Sequence, residues 1–315
     1  MLKIVKICIE VPTWLGDSVM ITPALEMLLE VYPHAKITLF GTAISTAIFQ
    51  KHPSVEKIVI DESRHVKFRW FWLFQAAKKL GTFDYAFSFR SAWSTKVLLW
   101  FIDAKQKSIY HKQRGVERHQ VLRYSDFLNH IFSLRGTPKA LNIYLPAVSY
   151  MKPTLGLNPG ASYGSAKRWY PEKFAEVAVA LHKHYDIVIF GGPSEIDIAN
   201  DIEAILQKHK IQNYQNTCGK TTIVELCQMI GGLSLFITGD SGPMHIAAAY
   251  QIPTVALFGP TKEKETSQWQ NVKSVIIKKK MACAPCMKRT CPLGHHECMK
   301  HIESIDVLQA IQTLT

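Results

Sequence analysis

The sequence predicts an α/β protein built from two parallel-sheet domains, on three observations. Short runs rich in Ile and Val alternate with stretches of helical spacing, the rhythm of a parallel sheet wrapped by helices. At 315 residues the chain exceeds one ordinary domain. The strand–helix rhythm also restarts in mid-chain, after a segment containing Thr137-Pro138 and Leu145-Pro146. The expected division is 1–149, 150–300 and a final helical segment, 301–315.

In the first half, residues 3–11 form the first strand, and Pro12 to Ser18 a turn. Residues 18–32 read as one helix, with Val19, Ala24, Leu25, Leu28 and Val31 on one side. Strands follow at 36–40, 58–60 and 85–89, with a helix at 95–102 and an amphipathic helix at 124–134. Phe68-Arg69-Trp70-Phe71-Trp72-Leu73-Phe74 is the most aromatic segment. Arg64, Lys67, Arg69, Lys78 and Lys79 flank it, as at a membrane interface. Aromatic stripes are more often core, so a helix packed on the sheet is the preferred reading. The second half carries strands at 154–158, 187–190, 233–237 and 255–258. Three of these end in polar, glycine-bearing turns: 158–164, 191–195 and 239–242.

Ligands bind at the carboxyl ends of strands in such sheets. The last of these turns, Gly239-Asp240-Ser241-Gly242-Pro243-Met244-His245, opens a helix. A helix start offers free N–H groups and a positive dipole end to a phosphate. By itself it could equally be a capped turn, since Asp and Ser are ordinary capping residues. Lys167 supplies a point charge suited to a diphosphate, and Ser162 a hydroxyl donor. Glu195 is an acceptor for a ribose diol, or simply a carboxylate at a helix start. No G-x-G-x-x-G and no G-x-x-x-x-G-K-[ST] occurs, which argues against a nicotinamide dehydrogenase and a P-loop ATPase.

Net charge is +12, from 37 Lys+Arg against 25 Asp+Glu, and favours anionic partners. The basic residues between 105 and 123 form no stripe interleaved with exposed aromatics, so nucleic acid is not expected. No apolar run is long enough for a transmembrane helix. Cys283, Cys286, Cys291 and Cys298 could hold a structural zinc, but their spacing is not that of paired C-x-x-C units. Paired thiols and plain packing stay open, and no metal is assigned.

Several separated motifs carry a family resemblance. They are Trp14-Leu15-Gly16-Asp17, Thr22-Pro23-Ala24-Leu25, Asn158-Pro159-Gly160-Ala161, Lys167-Arg168-Trp169, Gly239 to His245, and Cys291-Pro292-Leu293-Gly294-His295-His296-Glu297-Cys298. In this order they resemble the ADP-heptose:lipopolysaccharide heptosyltransferases, and most closely the heptosyltransferase II branch. The resemblance covers nearly the whole chain. It implies a GT-B glycosyltransferase, with two Rossmann-like domains facing across a cleft and the final helix returning toward the first. It implies ADP-heptose as donor and no required cofactor. The implied acceptor is the first heptose of the lipopolysaccharide inner core, on Kdo-lipid A. Location would be cytoplasmic, in peripheral contact with the inner membrane. The expected reaction inverts the anomeric carbon, with Asp17 as base. Asn158, Ser162, Lys167, Glu195, Asp240, Ser241, Gly242 and His245 are the expected donor contacts. Trp14, Gly16, Arg64, Arg114 and Arg118 are the expected acceptor contacts. Another core heptosyltransferase, or a sugar-nucleotide-binding protein without transfer activity, are the rival readings.

Overall fold

The computed structural model describes residues 4–113 and 115–314. The chain separates into two compact units, one ending at Leu145 and one beginning at Pro146.

The first unit is built on five parallel strands: β1 (Lys6–Glu10), β2 (Lys36–Gly41), β3 (Val55–Ile60), β4 (Thr82–Ser88) and β5 (Asp103–Ile109). Their order is β3-β2-β1-β4-β5, so the direction of winding reverses between β1 and β4. The stretch expected as one helix is two, Leu15–Met20 and Thr22–Val31. Pro23 lies in the first turn of the second, where its missing N–H leaves no helical bond unmade. Thr22 donates its hydroxyl to the Val19 carbonyl at the junction, at 2.8 Å.

The second unit has six parallel strands: β6 (Thr154–Asn158), β7 (Asp186–Ile189), β8 (Tyr214–Asn216), β9 (Leu235–Gly239), β10 (Thr254–Phe258) and β11 (Ser274–Lys278). The order β11-β10-β9-β6-β7-β8 is a doubly wound sheet with its reversal between β6 and β9. Leu155, Leu157, Ile187, Ile189, Leu235 and Ile237 alternate into one core beneath the flanking helices. The last helix, Ser304–Gln312, packs along the helix Pro171–Leu181 and against β10 and β11 of this unit.

Most of the proline-bearing segment between the halves is docked rather than free. Leu141, Ile143 and Leu145 are buried at every second position, and Asn142 N–H donates to Thr22 Oγ1 at 3.1 Å. The second unit takes over within three residues, where Val148 N–H donates to the Gln228 carbonyl at 2.8 Å.

The aromatic helix, Arg69–Leu80, does pack on its sheet, as preferred from the sequence, through Leu73, Ala76, Ala77 and Leu80. Phe68, Trp70 and Phe71 are left exposed, so the stripe is core on one face only.

Candidate active site

The second unit gathers its polar side chains where its sheet reverses. Asn158 ends β6 and Gly239 ends β9, and the two strands are hydrogen-bonded neighbours. Buried Asn158 donates its amide to Thr238 Oγ1 at 3.2 Å and to Ser241 Oγ at 3.3 Å, tying the two turns together. Asp240 is not the helix cap. Ser241 occupies that position ahead of the helix Gly242–Ala249. Buried Asp240 instead accepts from Lys167 Nζ on Oδ2 at 2.7 Å and on its carbonyl at 3.0 Å.

This pairing changes the expected role of Lys167. A lysine ammonium has three N–H donors. Asp240 takes two, and the third is aimed by them rather than by a flexible surface chain. Tyr163 supports it, with the ammonium 4.6 Å from the ring centroid. Lys167→Ala therefore removes a charge-assisted donor and leaves the buried Asp240 carboxylate without its cation. The variant is expected to bind ADP roughly ten- to a hundredfold more weakly, from a loss of about 1.5–3 kcal/mol. Calorimetric titration with ADP checks this, and unchanged affinity would remove Lys167 from the site.

Glu195 is buried at the end of a short 3-10 turn after β7. Its Oε2 accepts from Gly192 N–H at 2.8 Å, while Oε1 accepts from nothing among the described residues. Its carboxylate lies against Gly160, where an added Cβ would stand 2.0 Å from Glu195 Cδ. Only glycine at 160 admits that carboxylate between the turns after β6 and β7. A buried carboxyl oxygen without a hydrogen-bond partner is poised for a ligand hydroxyl. His245 is buried within the helix that Gly242 opens. Ser162 is exposed in the turn after β6, and among the described residues no hydrogen bond joins it to the other expected donor contacts. Its expected place beside them is not seen among the described contacts.

The cysteine-rich segment buttresses this turn. Tyr163 donates to the Met287 carbonyl at 2.8 Å, and Ala166 N–H to the Arg289 carbonyl at 3.0 Å. His296 Nε2 meets the Ala166 carbonyl at 2.9 Å. Gly164 has φ +155° and an added Cβ would stand 2.2 Å from the Arg289 carbonyl oxygen, so the turn and the segment fit only through glycine. All seven cysteines are free. The backbone N–H groups, that of His296 foremost, pull the Cys291 thiol below its ordinary range. Burial first, and then the neighbouring thiols of Cys283, Cys286 and Cys291, push that of Cys298 up. Among the described residues no three His, Cys, Asp or Glu side chains are arranged to hold a metal ion.

The first unit places Asp17 in the first turn of the helix that follows β1. Tyr124, wholly buried on the helix Gln120–Phe132, donates its hydroxyl to Asp17 Oδ1 at 2.9 Å. Burial, and then the Asp17 charge, hold the Tyr124 phenol well above its ordinary range, so it stays a donor. Tyr124 was not singled out from the sequence, because a tyrosine in an amphipathic helix reads as core. Tyr124→Phe should lower turnover about fivefold, the effect of one hydrogen bond of about 1 kcal/mol, and leave ADP affinity unchanged. Equal losses in both would give Tyr124 a role in the fold rather than in orienting Asp17.

At the carboxyl ends of β1, β3 and β4 lies a buried charge cluster with no counterpart in the sequence reading. Arg90 Nη1 is 2.9 Å from Glu10 Oε1 and 3.7 Å from Asp61 Oδ2. Ser88 donates to Glu10 Oε2 at 2.6 Å. Burial raises the Glu10 carboxyl above its ordinary range, against the opposing pull of Arg90.

The expected acceptor contacts are scattered. Trp14 is half exposed at the cap of the Asp17 helix, and Gly16 lies within that helix. Arg64 is exposed in the loop after β3. Arg118 pairs with Asp126 at 2.8 Å on the surface. Arg114 lies outside the described residues. Arg123 turns its guanidinium inward onto the carbonyls of Gln113, Val116 and Arg118, so its charge staples a loop.

Comparison with known proteins decides the family. Residues 57–297 match the model for glycosyltransferase family 9 (heptosyltransferase). The chain belongs to glycosyltransferase family 9. As a family 9 chain it is a glycosyltransferase by descent and by fold. It is 42% identical to lipooligosaccharide heptosyltransferase 2 of Campylobacter jejuni subsp. jejuni serotype O:6, over 98% of this chain and 99% of that one. The crystal structure of the family 9 glycosyl transferase of Veillonella parvula superposes with a TM-score of 0.86 at 22% identity, covering 100% of this chain and 98% of that chain. Escherichia coli ADP-heptose lps heptosyltransferase II gives 0.79 at 24% identity, over 98% of both chains. The two units have the GT-B fold of these family 9 proteins.

Proposed function

We propose that this chain transfers L-glycero-D-manno-heptose from ADP-heptose to the first heptose of the lipopolysaccharide inner core, with inversion at the anomeric carbon. The observation that carries this is the end-to-end 42% identity to a lipooligosaccharide heptosyltransferase 2. The chemistry of the two sites supports it. In the second unit, Lys167 and the N–H groups opening the helix at Gly242 meet the diphosphate, and Glu195 Oε1 accepts from the ribose. In the first unit, Asp17, oriented by Tyr124, takes the proton from the acceptor hydroxyl. That oxygen bonds the anomeric carbon as the bond to the β-phosphate oxygen breaks. The charge left on ADP falls on Lys167 and the helix start. No step calls for a metal or cofactor. The acceptor hangs from a lipid, so the protein works at the cytoplasmic face of the inner membrane, in peripheral contact.

Incubation with ADP-heptose and a panel of truncated lipopolysaccharides, followed by mass measurement, tests the reading. One heptose should be added to the acceptor that carries a single heptose. Addition only to the heptose-free Kdo acceptor would make this a first-heptose enzyme. Donor binding with no product would leave a sugar-nucleotide-binding protein.

A further inference from the structure

We propose that the exposed face shared by the helices Arg69–Leu80 and Trp93–Phe101 is the surface by which this protein docks on an anionic phospholipid bilayer. The inference deepens the peripheral contact named above, and rests on that reading only for what the docking serves. Phe68 is 77% exposed, Phe71 61%, Trp93 65% and Trp100 74%, and Trp70 is 44% exposed. A monomer commonly scatters single apolar side chains over its surface, whereas five large aromatics on two neighbouring helices form a patch.

The two helices pack together, so the patch is continuous. Trp70 meets Trp93 edge-on with ring centroids 4.8 Å apart, and Phe74 meets Phe101 at 5.1 Å. Both helices spend their inward faces on the sheet, through Leu73, Ala76, Ala77 and Leu80 on one and Thr95, Leu98 and Leu99 on the other. Trp93, Lys96 and Trp100 are spaced three and four apart, so one stripe of the second helix reads Trp-Lys-Trp toward solvent.

The charge around the patch selects the partner. Residues 63–80 contain Arg64, Lys67, Arg69, Lys78 and Lys79 and no Asp or Glu. The helix Trp93–Phe101 adds Lys96 and again no acid. Aromatic rings settle at the headgroup level of a bilayer, and lysine and arginine beside them are drawn to anionic lipids. Among the described residues no helix is long and apolar enough to cross the membrane, so the contact is with the surface. Position fits the use. Both helices begin beyond the carboxyl ends of β3 and β4, the edge where Asp61 and Arg90 also lie. Docking there would hold that edge at the layer from which a lipid-borne sugar projects.

Flotation of the full chain with vesicles tests this, comparing pure phosphatidylcholine with phosphatidylcholine containing phosphatidylglycerol. Wild type should float with the anionic vesicles and largely lose this at high salt. The double variant Phe71→Ala/Trp100→Ala and, separately, Lys79→Glu/Lys96→Glu should each reduce the bound fraction at least tenfold. Both should melt like wild type and keep wild-type turnover on a deacylated, soluble acceptor. On acceptor embedded in vesicles their turnover should fall. Equal binding to both vesicle types, no binding, or variants that float like wild type would overturn the proposal. So would a stable dimer by light scattering that Phe71→Ala/Trp100→Ala dissolves, since a second copy would then cover the patch. Absence of transfer to either acceptor would instead sink the functional reading, while flotation still decides the docking surface.

Discussion

Asp17→Ala is expected to lose at least two to four orders of magnitude in turnover, the usual contribution of a general base, while binding ADP as wild type does. The prediction follows from the proposed division of labour between the units. Every contact assigned to the nucleotide comes from the turns after β6, β7 and β9, and Asp17 belongs to the other unit. Removing the Asp17 carboxylate leaves the Tyr124 hydroxyl, buried and donating to Asp17 at 2.9 Å, without that acceptor. Asp17→Asn is the better-packed companion, since its amide oxygen can still accept from Tyr124 but cannot take a proton. Both variants should show the same collapse in kcat with normal ADP titration. Turnover above a tenth of wild type in either would move the base elsewhere.

Arg90→Met should be the most destabilising single change at these strand ends, by about 3–5 kcal/mol in urea unfolding. The methionine fills similar space, so the cost is electrostatic. Glu10 and Asp61 would face each other with their buried cation removed. The pH dependence carries a definite sign. Burial raises the Glu10 carboxyl in the folded protein above its unfolded value, so the folded state binds the proton more readily. Stability linked to that proton grows as pH falls through the raised folded value, and is lost as pH rises. Without Arg90 the carboxyl rises further. The variant should therefore recover part of its deficit on moving from neutral to mildly acidic buffer, and wild type should recover less. A deficit that stays constant, or grows toward acid, would show that the cluster does not hold its charge in this way.

These two residues also mark where sequence reading succeeds and where it stops. Asp17, Asn158, Lys167 and Asp240 could be singled out as candidates because they follow apolar runs that are strands, and because the ordered motifs resemble one family. That Lys167 and Asp240 hold each other was not legible. They are 73 residues apart, and only the neighbouring of β6 and β9 brings them together. Arg90 and Glu10 were missed for the same reason, being joined across β1 and β4. The strands that escaped notice, β5, β8 and β11, are all sheet edges. An edge strand is half wet, and Asp103–Ile109 carries Asp, two Lys and Gln where a central strand carries Ile and Leu. Trp70 and Phe71 show the opposite error. Aromatic character suggested core, yet the helix needs only Leu73, Ala76, Ala77 and Leu80 to cover its sheet.

The most direct test of the central claim is the stoichiometry and linkage of a single transfer. ADP-heptose with a β-anomeric donor and a one-heptose acceptor should yield one ADP for each heptosylated acceptor, with the new linkage α by NMR. Release of ADP without product, or a β linkage, would contradict inverting transfer by Asp17.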